Sequence, residues 1–250
     1  MVDGNRIITR ADALGRPDAQ RYVSGGGWPV VLLERMVYWV ARGYCQGRML
    51  DLGCGEGSLL EAAGLCGIGV DLHPERLSLA ARKKLRVALA DGSQLPFADH
   101  SFDTVICMEV LEHVPSMAGV MSEVHRVLKP GGHWIISVPN VTLRSWYEMW
   151  RERRPYYCDE HEHYREFSPV SIPWFEHRFM RINTLDSMLT DHGFTLVHTD
   201  GVRYLFPQWC SRLPGLQRCL ESAAADRFWA RLPWVRQFSY WTIRIMRKVA

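Results

Sequence analysis

The stretch MLDLGCGEG, Met49 to Gly57, limits the choice of fold more than any other part of the 250-residue chain. An apolar run ends in three alternating glycines, Gly53, Gly55 and Gly57, and a helical pattern, SLLEAAGLC, follows at once. Glycines at such a place let the backbone approach a ligand closely and turn sharply into a helix.

The same unit then repeats with variations. GIGVDL reads as a second strand, and PERLSLAARKKL as a helix with Pro74 in its first turn. RVALAD is a third strand. FDTVICMEV is a fourth, apolar nearly throughout, as a strand covered on both faces should be. MAGVMSEVHRVLK carries apolar residues at 117, 120, 121, 124, 127 and 128, a helical stripe that Gly131 and Gly132 should stop, and HWIISVPN is a fifth strand. Strands alternating with helices at this spacing predict a parallel sheet with helices on both faces. Ligands on such sheets bind at the carboxyl ends of the strands, which puts the glycine loop at the site.

After Asn140 the rhythm breaks. Residues 141–182 are rich in aromatics, His and Arg. TLDSMLTDHGF then resumes as a helix closed by Gly193, FTLVHTDGV as a strand, 207–237 as a helical stretch punctuated by Pro and Trp, and SYWTIRIMRK as a last strand. The expected organisation is an arm and helix over 1–47, a core over 48–202 with a lid inserted at 141–182, and a basic helical segment with a final strand over 203–250.

Composition narrows the class. At 47% hydrophobic the chain can bury one substantial core. It has no run of 18 apolar residues that would cross a membrane. Its first twenty residues are polar, so no secretory signal is expected there. None of the seven cysteines is paired as C-x-x-C, which suits a reduced, cytoplasmic chain with buried thiols. The net charge of +3 is unevenly spread: residues 201–250 hold nine Lys or Arg against two acids, +7, leaving −4 for the rest.

The glycines stand as G-x-G-x-G, with Ser58 where a dinucleotide fingerprint wants Gly or Ala, and without the Lys of a triphosphate loop. Asp71 ends the second strand, 18 residues after Gly53, where a carboxylate can accept from both ribose hydroxyls or else cap the helix that begins at Pro74. In ADGSQLPF, Asp91 ends the third strand and can accept from the exocyclic amine of adenine, while Leu95 and Phe97 wall the site. Ser58 and the Asp91 loop disfavour a nicotinamide-dependent oxidoreductase.

LDLGCGEG, GVDL, ADGSQLPF, FDTVICMEVLEHV and VLKPGGHWIISVPN stand in the order seen in class I S-adenosylmethionine-dependent methyltransferases, and most resemble the subgroup containing the ubiquinone-biosynthesis O-methyltransferases. The resemblance covers about residues 48–140, and less closely 184–202. It implies a Rossmann-like α/β fold: a seven-stranded, mostly parallel sheet with helices on both faces and an antiparallel last strand beside the fifth. It implies S-adenosyl-L-methionine as cofactor. Asp51, Gly53 and Gly55 would line its methionine part, Asp71 would hold its ribose, Asp91 and Gly92 would sit at its adenine, Met108 and Glu109 would flank the sulfonium, and Leu72 would also contact the cofactor.

Methyl transfer is chiefly a positioning task, because the sulfonium already activates the carbon. A hydroxyl acceptor also needs a base or metal for its proton. Two groups offer themselves. If the chain turns helical from Val110, then Glu109, Glu112 and His113 share one face and could ligate Mg²⁺, or His113 could act as base. Such an E-x-x-E-H motif resembles the metal site of small-RNA 2′-O-methyltransferases. The alternatives are a substrate contact or a structural role. The second group, CDEHEHYREF, holds His161 and His163, which either serve as base across the pocket or belong to a solvated charged loop. In the tail, Trp and Arg interleave over 207–237. That fits peripheral membrane contact, nucleic-acid binding or plain packing. The leading expectation is transfer of a methyl group to a hydroxyl of a small-molecule or lipid-linked acceptor, in the cytoplasm with possible membrane association. The alternatives are an RNA methyltransferase and a non-catalytic partner subunit of the same fold.

Overall fold

The computed structural model describes residues 43–62, 64, 67–140, 181–204 and 239–249. The arm, most of the expected lid with His161 and His163, and the tail over 207–237 lie outside the described residues.

The described chain forms β1 (Met49–Leu52), α1 (Ser58–Ala62), β2 (Gly67–Asp71), α2 (Pro74–Arg82), β3 (Val87–Leu89) and β4 (Phe102–Met108). A 3₁₀ turn (Leu111–His113) leads to α3 (Met117–Val127) and β5 (Leu128–Pro139), then α4 (Ile182–Asp191), β6 (Phe194–Tyr204) and β7 (Ser239–Lys248). The seven strands lie in the order β3-β2-β1-β4-β5-β7-β6. The first five are parallel; β7 runs antiparallel between β5 and β6. The expected sheet is therefore present, with its last strand in the slot that the resemblance implied.

The period-two alternation of β4 explains why it reads as continuously apolar. Val105 and Cys107 join α3's Val120, Met121 and Val124 in one core cluster. Ile106 points the other way, into a second cluster with Leu59, Leu60 and Ile135. Both faces are covered, so neither needs polar residues. β7 is equally enclosed. Its Arg244 is nearly inaccessible and is neutralised by Asp186 of α4, with Nε 2.9 Å from Oδ1. The chain order puts the sheet's switch point between β1 and β4, so the loops after these strands converge on one edge.

One boundary differs from expectation. α3 stops at Val127, four residues before Gly131, because Leu128 is already extended (φ −73°, ψ 139°) and Pro130 disfavours helix at Lys129. The two glycines sit inside β5 instead. Gly131 (φ +77°) makes the bend where the β4–β5 register shifts. At the other end, Ser116 caps α3 by accepting the Gly119 N–H at 3.0 Å.

Candidate functional site: the loops at the ends of the first, second and fourth strands

The glycine loop is held by its neighbour strand. The N–H groups of Gly53 and Cys54 both donate to the Val70 carbonyl of β2, at 2.8 and 3.0 Å. Gly53 adopts φ +75°, and a Cβ there would lie 2.2 Å from Val110 Cγ2, so the position excludes any side chain. Gly55 is different. A Cβ there would meet nothing nearer than Arg76, at 3.9 Å, so this edge of the loop is open.

Asp71 closes the loop onto β2. Its Oδ2 accepts the Gly55 N–H and its Oδ1 the His73 N–H, both at 2.8 Å. The helix-cap alternative is not what forms: the N-cap of α2 is His73, and no side chain caps it. Asp71 shapes the glycine loop and the entry to α2 together. That role depends on a contact across 16 residues, which local sequence pattern does not display. Leu72, next along, is 56% exposed, an apolar side chain at the rim.

At the end of β3, Asp91 Oδ1 accepts from both the N–H and the hydroxyl of Ser93, each at 2.8 Å. The loop behind it is anchored by Leu95, which is buried, and by Phe97, edge-on to Phe102. Gly92 lies against Leu52 of β1 and Val120 of α3, so this loop shares the strand-end edge with the glycine loop.

Beyond β4, Glu109 takes φ +55°, a left-handed conformation that only a well-anchored side chain sustains. The anchor is Ser137 of β5. The Glu109 N–H donates to the Ser137 carbonyl and hydroxyl oxygens, and that hydroxyl donates to Glu109 Oε1 at 2.9 Å. Ser137 was not singled out from the sequence. Its signal was a lone hydroxyl in the otherwise apolar HWIISVP. Met108, half-buried, packs beside Ile106.

Among the described residues the edge concentrates carboxyls without matching Lys or Arg side chains. Asp51 is 2% exposed and its Oδ2 has no partner among the described residues; burial, then the charge of Asp71, push it up to about 7. Glu109 is raised by burial, against the hydrogen bonds of Ser137, Glu112 and Trp241. Glu112 is 1% exposed and lies well above the usual carboxylate range through burial and then the Glu109 charge. Buried acids of this kind are stabilised by a cationic ligand group or else hold a proton.

The expected metal set of Glu109, Glu112 and His113 does not form. Among the described residues no three His, Cys, Asp or Glu side chains are gathered as ligands. The shared face presupposed an α-helix from Val110. The chain instead makes Glu109 left-handed and follows it with a three-residue 3₁₀ turn. His113 Nε2 stands 3.8 Å from Glu112 Oε1, beyond hydrogen-bond length. Cys45, Cys54 and Cys107 are free thiols, raised above the ordinary value by burial and then by nearby carboxylates.

Residues 50–136 match the family model described as "Methyltransferase domain". Over this stretch the chain is similar to methyltransferases. The chain's curated relatives include the sterol 24-C-methyltransferase of Pneumocystis carinii, 30% identical over 61% of this chain and 41% of that protein. They also include the ubiquinone biosynthesis O-methyltransferase of Burkholderia vietnamiensis, 38% identical over 40% of this chain and 47% of that protein. The chain thus spans less than half the length of these relatives. Among solved structures, a methyltransferase of Thermotoga maritima, described as a possible histamine N-methyltransferase, superposes with a TM-score of 0.60. It covers 95% of this chain and 99% of its own at 16% identity, a likeness of fold alone.

Proposed function

We propose that the chain uses S-adenosyl-L-methionine to methylate a hydroxyl of a small-molecule or lipid-linked acceptor. The observation that carries the cofactor reading is the strand-end edge itself. An open glycine loop is tied to Asp71, beside the buried carboxyl of Glu109 and an Asp51 oxygen that has no partner among the described residues. S-adenosyl-L-methionine brings an ammonium and a sulfonium, the positive groups such carboxylates lack, and supplies an activated methyl carbon.

Each part of the cofactor has a proposed partner. Asp51, Gly53 and Gly55 would hold the methionine part, and Asp71 the ribose through the second lone pair of each oxygen. Leu72 would cover one face of the adenine, with Asp91 and Gly92 at its edge. Met108 and Glu109 would stand beside the sulfonium. For the acceptor proton, His113 is the described candidate, on the turn after β4 and partly exposed. His161 and His163, in the segment proposed as the lid, are the others.

The hydroxyl acceptor rests on the ubiquinone-biosynthesis relative, whose name specifies O-methylation; the sterol relative's name specifies carbon. No helix among the described residues is long and apolar enough to cross a membrane. Contact with a lipid surface is proposed only for the basic segment 207–237.

The test is incubation with S-adenosyl-L-methionine and a panel of phenols and quinols bearing short and long alkyl chains, beside amines and RNA. The expected result is S-adenosylhomocysteine in step with a mass gain of one methyl on a hydroxyl acceptor. Methylation of RNA alone would overturn the acceptor class.

A further inference from the structure

We propose that Glu123 and Arg126 of α3 form a clamp that sets the shape of the Asp91–Phe97 loop and thereby the affinity for the adenine end of the cofactor. This rests on the cofactor reading above and assigns function to two residues outside those proposed to hold cofactor or acceptor.

The loop's own contacts are the Asp91–Ser93 pair, a turn from Asp91 to Gln94 and a tight turn in which the Phe97 N–H donates to the Leu95 carbonyl at 2.8 Å. Its next backbone groups are read from outside. Glu123 Oε2 accepts the Leu95 N–H at 2.7 Å. Arg126 donates through one terminal nitrogen to the Leu95 carbonyl, at 3.0 Å, and through the other to the Phe97 carbonyl, at 2.8 Å. The two side chains are themselves joined as a fork. Arg126 Nε reaches Glu123 Oε1 at 2.7 Å, and its terminal nitrogen reaches Oε2 at 2.8 Å. Asp99, after the loop, accepts from the same guanidinium at 2.7 Å but is largely exposed, so this arm contributes less.

One preorganised ion pair thus binds three main-chain groups separated from α3 by about 30 residues in sequence, and two of them, the Leu95 N–H and the Phe97 carbonyl, have no partner within the loop among the described residues. A planar five-donor guanidinium can do this; a lysine ammonium cannot present the same fork. The consequence is local. The glycine loop is tied to Asp71 and β2 by contacts that do not involve α3. The methionine and ribose side of the site is therefore shaped independently of the clamp. Loosening the clamp frees Asp91 and Gly92 from their places and charges the reordering of the loop against binding.

The experiment is calorimetric titration of the full chain and of Arg126→Ala, Arg126→Lys and Glu123→Gln, with S-adenosylhomocysteine and with 5′-methylthioadenosine, which keeps adenine and ribose but lacks the amino acid. Circular dichroism checks that each variant is folded. The expected result is a loss of about tenfold for both ligands in Arg126→Ala, by the same factor, with partial recovery in Arg126→Lys. In turnover the loss should fall on KM for S-adenosyl-L-methionine more than on kcat. Folded Arg126→Ala that binds both ligands as the wild type does, with only a lowered melting temperature, would overturn the clamp and leave the pair structural. If Arg126→Ala does not fold, undiminished binding in both Arg126→Lys and Glu123→Gln would overturn it equally. Failure of the wild type to bind either ligand would overturn the cofactor reading first, and the clamp with it.

Discussion

Replacing Asp71 with alanine is expected to weaken S-adenosyl-L-methionine binding by about a hundredfold. Two losses combine. The variant removes the carboxylate proposed to accept from the ribose hydroxyls, and it orphans the Gly55 and His73 amides that now donate to it at 2.8 Å. A charge-assisted hydrogen bond contributes about 1.5–3 kcal/mol, and each 1.4 kcal/mol is a factor of ten in affinity. Asp71→Asn keeps one acceptor oxygen and should lose less, about tenfold. Calorimetry on folded variants decides the matter. If Asp71→Ala binds as the wild type does, the ribose role is wrong and the residue merely ties the loop.

Asp51→Asn should have the opposite signature: a more stable protein that binds cofactor poorly. The carboxyl is raised from 3.8 to about 7 in the folded chain. An acid whose folded pKa lies above its unfolded one holds its proton more tightly when folded. It therefore costs nothing below about pH 4, and its cost grows as pH rises from 4 to 7, where it levels off. The full penalty is about 4 kcal/mol at one pKa unit per 1.36 kcal/mol, an upper figure. Asparagine carries no such penalty. The ligand-free variant should melt several degrees above the wild type at pH 8, and the gap should close as pH falls toward 4. Binding of the cationic cofactor should weaken, since the charge that the fold tolerates is the one the ligand compensates. A variant less stable than the wild type at pH 8 would show that Asp51 is already compensated within the fold.

These two residues also mark what the sequence could and could not convey. Asp71 was legible because it ends an apolar run at a fixed distance after a glycine loop, and both are local patterns. Its partners were not, since Gly55 and His73 meet it only through the sheet. Asp51 was legible as a strand residue, but its raised pKa follows from complete burial beside Asp71, which needs the register of β1 against β2. β4 and β7 were visible through composition and period. The end of α3 was misread because an apolar stripe continues through Leu128, while the local effect of Pro130 had already ended the helix. Glu109, Glu112 and His113 were found, but the wrong backbone was assumed for them. A left-handed glutamate held by Ser137, 28 residues away, has no sequence period. The Glu123–Arg126 clamp was hidden for the same reason. In the sequence it is an ordinary i, i+3 pair on a helix.

The loops at the ends of β1, β2 and β4 are proposed to bind S-adenosyl-L-methionine. Thermal unfolding of the full chain in the presence of S-adenosyl-L-methionine, S-adenosylhomocysteine, NAD and NADP tests this most directly. A ligand bound only by the native state adds about 2.7 kcal/mol at a hundred times its Kd. The account predicts a rise of several degrees with each of the two sulfur ligands and none with either dinucleotide. A rise with NAD or NADP, and none with S-adenosylhomocysteine, would contradict it.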